Sequence, residues 1–387
     1  MPNSTQDSSG SPPPSATPSA SAAAPLTWKS NAILFAATVV SIFLTQAFFD
    51  NAPFSRGAFA RAAQFAGTIL AILVSHELGH YVAARIHKVD ASLPYFIPLP
   101  GTLIGTMGAV IRMRGVIPTR AALLDIGASG PLAGMAVAIP LYIIGVQHSH
   151  PVALDGSSML FFGEPVLTRV LDHFFAPPIP EGMDLAYSPM AEAAWAGMLV
   201  TMINLVPVGQ LDGGHVAYAL FGTRQDRIAP WVHRSMLAFF FVGLASSLLR
   251  DARAGIGLFH IGRHVGNSLF WLVWFEVQAI LGALASRGRP QRDDRSLPIR
   301  TRAIAIVGLA LIASFGRESH SVMLWLAWFV GLGGLIAMEA TWGVLRNNGL
   351  LDHPPTGAAK LGIGRSIVAI LTLVLFALLF MPTPISM

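Results

Sequence analysis

Cysteine is absent from all 387 residues, which excludes disulfides, thiolate nucleophiles and zinc sites built on sulfur. Any metal must be held by His, Asp or Glu. Charge is scarce too: Asp, Glu, Lys and Arg make up 12% of the chain, where soluble domains carry roughly 25%. In its place are long apolar runs, with hydrophobic residues at 53% and a mean hydropathy of +0.59. Such a chain is an integral membrane protein, and no soluble-type stretch of domain size remains between the runs. The net charge of +5 does not point to nucleic acid, because the basic residues are scattered through the loops instead of forming a stripe. Orientation in the membrane accounts for them better. There is no P-loop, no dinucleotide fingerprint and no Ser/His/Asp arrangement.

The apolar runs lie at 31–49, 63–86, 121–146, 190–206, 232–249, 267–286, 302–315, 321–345 and 366–381. They predict an all-α polytopic membrane protein of about nine transmembrane helices, given the roughly 20 residues that each crossing needs. Residues 1–27, rich in Ser, Pro and Ala, are expected to be a disordered tail. Residues 28–60 read as a retained anchor helix and outer loop, since no small-residue cleavage site follows the first run. The loop after the second run carries Arg85, Lys88, Arg112, Arg114 and Arg120 against Asp90. Beyond the third run the loop is acidic instead, with Asp155, Glu164, Asp172, Glu181 and Asp184 against Arg169. The positive-inside rule makes the first of these cytoplasmic.

Within the second run stands His76-Glu77-Leu78-Gly79-His80. Two imidazoles and a carboxylate at bilayer depth cost several kcal/mol, so such groups mark a site. Residues four apart share a helix face, so His76 and His80 can hold one metal while Glu77 sits one step round, beside the water that a catalytic zinc retains. Catalytic zinc takes three protein ligands. Asp212 is the best candidate for the third, in a stretch broken by Pro207, Gly209, Gly213 and Gly214. Irregular backbone at membrane depth is tolerated where protein or a watery cavity satisfies it, and a carboxylate there needs a partner. Glu192, Glu276 and Glu339 are weaker candidates for the same role, without a glycine-broken motif around them. His215 reads as a residue supporting the ligands or packing against them, since a fourth ligand would close the water position. His148, His150, His260, His264 and His353 read as ordinary loop or helix-end histidines. The spacing of Gly130 and Gly134 suits close helix packing.

With both motifs in place, the sequence resembles the site-2 protease family of intramembrane zinc metalloproteases. His76 to His80 matches its HExxH signature, Asn204 to Gly213 its Asn/Pro and Asp-Gly signature, and Gly130-Pro131-Leu132-Ala133-Gly134 its intervening helix. The similarity covers roughly 63–221, and a protease core over 61–222 followed by additional C-terminal helices over 223–387 is expected from it. It implies one Zn2+ per chain on His76, His80 and Asp212, with Glu77 activating water. Asn204 matches a position associated with substrate or transition-state contacts, although Leu205 and Val206 separate it from Pro207 where the family has Asn-Pro. The interrupted segment 94–114 looks like the family's membrane-associated β loop. Within it, Gly108, Ala109, Val110 and Ile111 form a candidate strand whose edge could hold an unwound peptide through backbone pairing.

The implied activity is hydrolysis of a peptide bond in or near a transmembrane segment of a membrane-protein substrate. From a different class comes the alternative of a multi-pass metal or proton transporter using the same His/Asp cluster. A bacterial cytoplasmic membrane is expected because no transit peptide is evident, with the site towards the cytoplasm: His76 lies roughly 20 Å along its helix at 1.5 Å per residue. Nothing in the sequence speaks to oligomeric state.

Overall fold

The computed structural model describes residues 28–50, 52–113, 117–153, 161–256, 260–286, 297–346 and 348–386. The expected tail at 1–27, Arg114, Asp155 and the stretch 287–296 lie outside the described residues. In chain order the elements are α1 (Trp28–Phe49), α2 (Arg56–Ile86), β1 (Tyr95–Pro98), β2 (Thr106–Val110), α3 (Arg120–Gln147), β3 (His150–Ala153), β4 (Phe161–Phe162), α4 (Val166–Phe175) and β5 (Met183–Ala186). They continue as α5 (Pro189–Asn204), α6 (Asp212–Phe221), α7 (Gln225–Arg253), α8 (Ile261–Ala285), α9 (Ile299–Phe315), α10 (Val322–Trp342), α11 (Ile363–Leu379) and β6 (Ile385–Ser386).

Hydroxyl caps set several of the starts. Ser55, Thr119, Ser188 and Ser321 each accept a hydrogen bond from the backbone N–H three residues on, opening α2, α3, α5 and α10. Pro189 then occupies the first turn of α5, where its missing N–H costs nothing.

All nine expected runs are helical, but among the described residues six helical units are long and apolar enough to cross a membrane. These are α1, α2, α3, α6 with α7, α8 and α10. The expectation of about nine spans is thus met for six, and the other three runs are set apart by length. Helix α5 has 16 residues, α9 has 17 and α11 has 17, about 24–26 Å at 1.5 Å per residue against a hydrocarbon core near 30 Å. Helix α5 is buried almost throughout, packed between α2 and α3. Helix α11 returns to lie against α3 and α6.

In the C-terminal helices, Arg302 of α9 and Glu339 of α10 form a fully buried bidentate pair with N–O distances of 2.6 and 3.0 Å. Arg302 donates a further hydrogen bond to the Ala279 carbonyl on α8. Three helices are thereby joined at one point.

The expected β loop is the antiparallel hairpin of β1 and β2, in which Tyr95 faces Val110 and Phe96 faces Ala109 before the register shifts. It is bound along α1: Ser41 donates to the Gly105 carbonyl at 2.7 Å, and the Asn31 amide donates to the carbonyls of Leu93 and Pro94 at 2.9 Å. Gly105 has φ of +82°, and a Cβ there would strike the Ile42 backbone, so the hairpin's approach to α1 requires glycine. Two further small sheets pair β3 with β5 and β4 with β6. Among the described residues the fold is therefore mostly helical with three two-stranded sheets.

Candidate metal centre

Helix α2 carries His76, Glu77 and His80, all buried. Asp212 arrives from the other side, in the first turn of α6, after an irregular passage through 205–211. That passage is held locally: the Val208 N–H bonds the Val206 carbonyl at 2.7 Å, Gln225 donates to the Pro207 carbonyl at 2.6 Å, and Gly209 takes φ of +57°. A Cβ on Gly213 would fall on the Leu205 carbonyl, and one on Gly214 on that of Gly209. The paired glycines let α6 start directly against its own turn. Asp212 thus opens a helix, where a structural Asp-Gly turn would have closed one.

His76 Nε2, His80 Nε2 and Asp212 Oδ2 form a triangle with sides of 3.2, 3.2 and 3.2 Å. Tetrahedral zinc with bonds of about 2.0–2.1 Å separates its ligand atoms by roughly 3.3–3.4 Å, so the triangle fits that ion. The protonation state fits as well. His80 Nδ1 lies 2.7 Å from the Ile126 carbonyl, which can only accept. Nδ1 therefore carries the proton, leaving the Nε2 lone pair free for a metal. Among the described residues these three are the one group able to hold a metal in this way. Glu192 on α5, Glu276 on α8 and Glu339 on α10 do not belong to it, and Glu339 is engaged by Arg302.

A cavity of about 170 Å³ adjoins the triangle, lined also by Glu77, Asn204, His215, Ala109, Val110 and Ile111. Gly108 does not line it. The Asn204 amide, at the end of α5, reaches to 3.4 Å from His76 Nε2. One carboxylate, one amide and three ligand atoms thus share a small buried space, able to move a proton and to stabilise a developing negative charge.

The glycines of α3 acquire a more specific meaning than close helix packing. Gly127, Gly130 and Gly134 share one face, and a Cβ on each would meet His215, His80 and His76 respectively. At Gly130 the added carbon would collide with the His80 ring, while at Gly134 it would lie 3.2 Å from His76 Cβ. Gly130→Ala should therefore lower zinc occupancy although it removes no ligand. Metal content of the purified variant checks this, and full occupancy would show that His80 can shift without cost.

His215 turns Nδ1 to His353 Nε2 at 2.8 Å. His353 Nδ1 donates in turn to the Pro354 carbonyl at 2.7 Å, so His353 accepts and His215 donates. The His353 ring stacks on Tyr218 at 4.3 Å between centroids, and its backbone N–H bonds Asp226 at 3.0 Å. His353 is buried beside the candidate site and is no ordinary loop histidine. No sequence signal marks it, since it lies 138 residues from its partner.

Residues 64–247 match the model of peptidase family M50, a stretch that contains both motifs and the glycine face of α3. That segment of the chain is similar to peptidase family M50. The resemblance to the site-2 protease family is thereby borne out. Curated relatives include "Probable zinc metalloprotease EGY1, chloroplastic" of Arabidopsis thaliana, 35% identical over 159 residues, covering 40% of this chain and 29% of the relative. "Probable zinc metalloprotease EGY2, chloroplastic" of Oryza sativa subsp. indica is 33% identical over 184 residues, 47% of this chain and 32% of the relative. "Probable zinc metallopeptidase EGY3, chloroplastic" of Arabidopsis thaliana is 29% identical over 197 residues, 47% and 34%. This chain thus spans about a third of the length of these relatives. No solved structure matches the chain.

Proposed function

We propose that this chain is an intramembrane zinc endopeptidase that hydrolyses a peptide bond in or near a transmembrane segment of another membrane protein. One zinc per chain is held by His76, His80 and Asp212, with Glu77 as general base and Asn204 as a donor to the reacting carbonyl. The observation that carries the reading is the 3.2 Å triangle of ligand atoms sharing its cavity with a carboxylate that is not a ligand. Zinc, when bound, lowers the pKa of a water and polarises a carbonyl. Glu77 accepts the proton of the attacking water and later returns it to the leaving amine. His80 is oriented for its role by Ile126, and the Asn204 amide supports the charge that develops on the carbonyl oxygen. In this reading a protease core over 61–222 holds this machinery, residues 28–60 supply the anchor helix and outer loop, and 223–387 the additional helices.

The rival reading, a metal or proton transporter, finds no support in the comparisons, since the relatives' names describe proteases. Those names also place the relatives in chloroplasts, so the bacterial cytoplasmic membrane expected from the sequence gains no support from them. What is retained is a multi-pass protein whose metal lies nearer the side of Arg85, Lys88 and Arg120. Comparative membrane proteomics of cells carrying the wild type or Glu77→Gln tests the function. A membrane protein that accumulates with Glu77→Gln is the expected result, and identical membrane proteomes would count against proteolysis.

A substrate helix must be unwound before attack, because its carbonyls are hydrogen-bonded within the helix. Among the described residues strand β2 pairs with β1 on one side only. The Arg112 carbonyl accepts from the Ser92 N–H, and the Arg112 N–H donates to the Ser92 hydroxyl. Since successive residues of an extended chain turn their N–H groups to opposite edges, that of Ile111 is directed to the free edge beside the metal cavity. Ile111→Pro should then reduce cleavage with zinc retained, whereas Val110→Pro should disturb the hairpin itself. Unchanged cleavage by a metal-replete Ile111→Pro would remove strand addition from the mechanism.

A further inference from the structure

Beyond the metal cavity lies a wider cleft of about 870 Å³. The two spaces share Val110, Ile111, Met113, Gln210, Leu211 and His215, so the cleft is continuous with the site along the outer edge of β2. Its far wall is helix α8, which presents Gln278, Leu281 and Ala285 on one face. Helix α8 lies outside the 64–247 segment matched by the family.

Gln278 is out of place on this wall. It is 2% exposed, and its Nε2 has no hydrogen-bond partner among the described residues. A buried amide donor left unmade costs about 1–3 kcal/mol, so its presence calls for a partner. The expected occupant of the cleft has the opposite deficiency. An extended segment added to β2 satisfies its backbone along one edge and leaves the carbonyls of the other edge bare, which is expensive at membrane depth. Gln278 lines that cleft, so its unmade donor and the bare carbonyls of the occupant complement each other.

We infer that helix α8 forms the second wall of the substrate channel and that Gln278 donates to a main-chain carbonyl of the unwound substrate segment, on the edge away from β2. The inference rests on the proteolytic reading above. It assigns the C-terminal helices a part in substrate binding: β2 holds one edge of the segment, α8 the other, and Leu281 and Ala285 face its side chains.

Because the chain contains no cysteine, a single introduced thiol is unique. Leu281→Cys in a Glu77→Gln background, in vesicles with a membrane-protein substrate carrying one cysteine a few residues from its cleaved bond, should give a disulfide-linked product when a mild thiol oxidant is added to accept the two electrons. Val330→Cys, on an exposed position of α10, should not. In the otherwise wild-type chain, Gln278→Leu should lower kcat/KM roughly 5- to 10-fold, mainly through KM, with zinc content unchanged. A wild type that cleaves while Leu281→Cys forms no product and Gln278→Leu keeps full kcat/KM would overturn the inference alone. A wild type that cleaves no membrane protein would instead overturn the proteolytic reading beneath it. Cross-linking at Leu281 with unchanged kcat/KM in Gln278→Leu would reject the hydrogen bond assigned to Gln278.

Discussion

Glu77→Gln is expected to retain zinc and fold while losing cleavage by roughly 10²-fold or more. Glu77 lies outside the ligand triangle but lines the same small cavity, one residue along α2 from His76. An amide of equal size preserves the packing of a buried position and leaves the three ligand atoms untouched. What it removes is a carboxylate able to take a proton from water and return it to the amine. General acid–base groups contribute about 10²–10⁴ in rate, whereas packing changes confined to one isosteric side chain contribute far less. The measurement is paired: metal per chain on the purified variant, and product from a reconstituted membrane substrate. Near-normal cleavage by a zinc-replete Glu77→Gln would sink the mechanism. If neither protein cleaves, and the wild type carries zinc or protons across vesicles, the transporter should take its place.

The legible part of this site was the part whose cost the sequence displays. Ionisable residues four apart inside an apolar helix have no economical explanation except a shared ligand, and His76 and His80 do converge to 3.2 Å. Asp212 was legible because Pro207, Gly209, Gly213 and Gly214 break an apolar run around it, and the structure places it at 3.2 Å from both histidines. The β loop was visible for the same reason, as a segment too interrupted to span.

Other features carry no local cost and stayed hidden. Gly130 and Gly134 looked like helix packing, because only the fold brings the two imidazoles against them. His353 reaches His215 across 138 residues, and β4, which lies between α3 and α4, pairs with β6 beyond α11. Hydropathy alone does not separate spans from buried helices. An apolar run records burial from water, and α5 gains that burial from neighbouring helices as readily as from lipid.

Asp212→Ala should lose most of its zinc. With the carboxylate gone, two neutral imidazoles remain, one ligand short of the three that a catalytic zinc requires, and the only anion of the triangle has been removed. Removing residues that merely support ligands costs about 10- to 100-fold in metal affinity, so deleting a ligand should exceed 100-fold. His76→Ala and His80→Ala should behave alike, each leaving one imidazole and the carboxylate. Asp212→Asn separates shape from charge: it retains the side-chain volume at the start of α6 and should still bind weakly, because a neutral amide oxygen is a poor zinc ligand beside two neutral imidazoles. Metal per chain after dialysis against a chelator of known affinity checks all four variants. Full occupancy in Asp212→Ala would reject the third ligand. Glu192 and Glu276 would then be the remaining acidic candidates, since Glu339 is held by Arg302 at 2.6 Å, and recruiting either would require α5 or α8 to move towards α2.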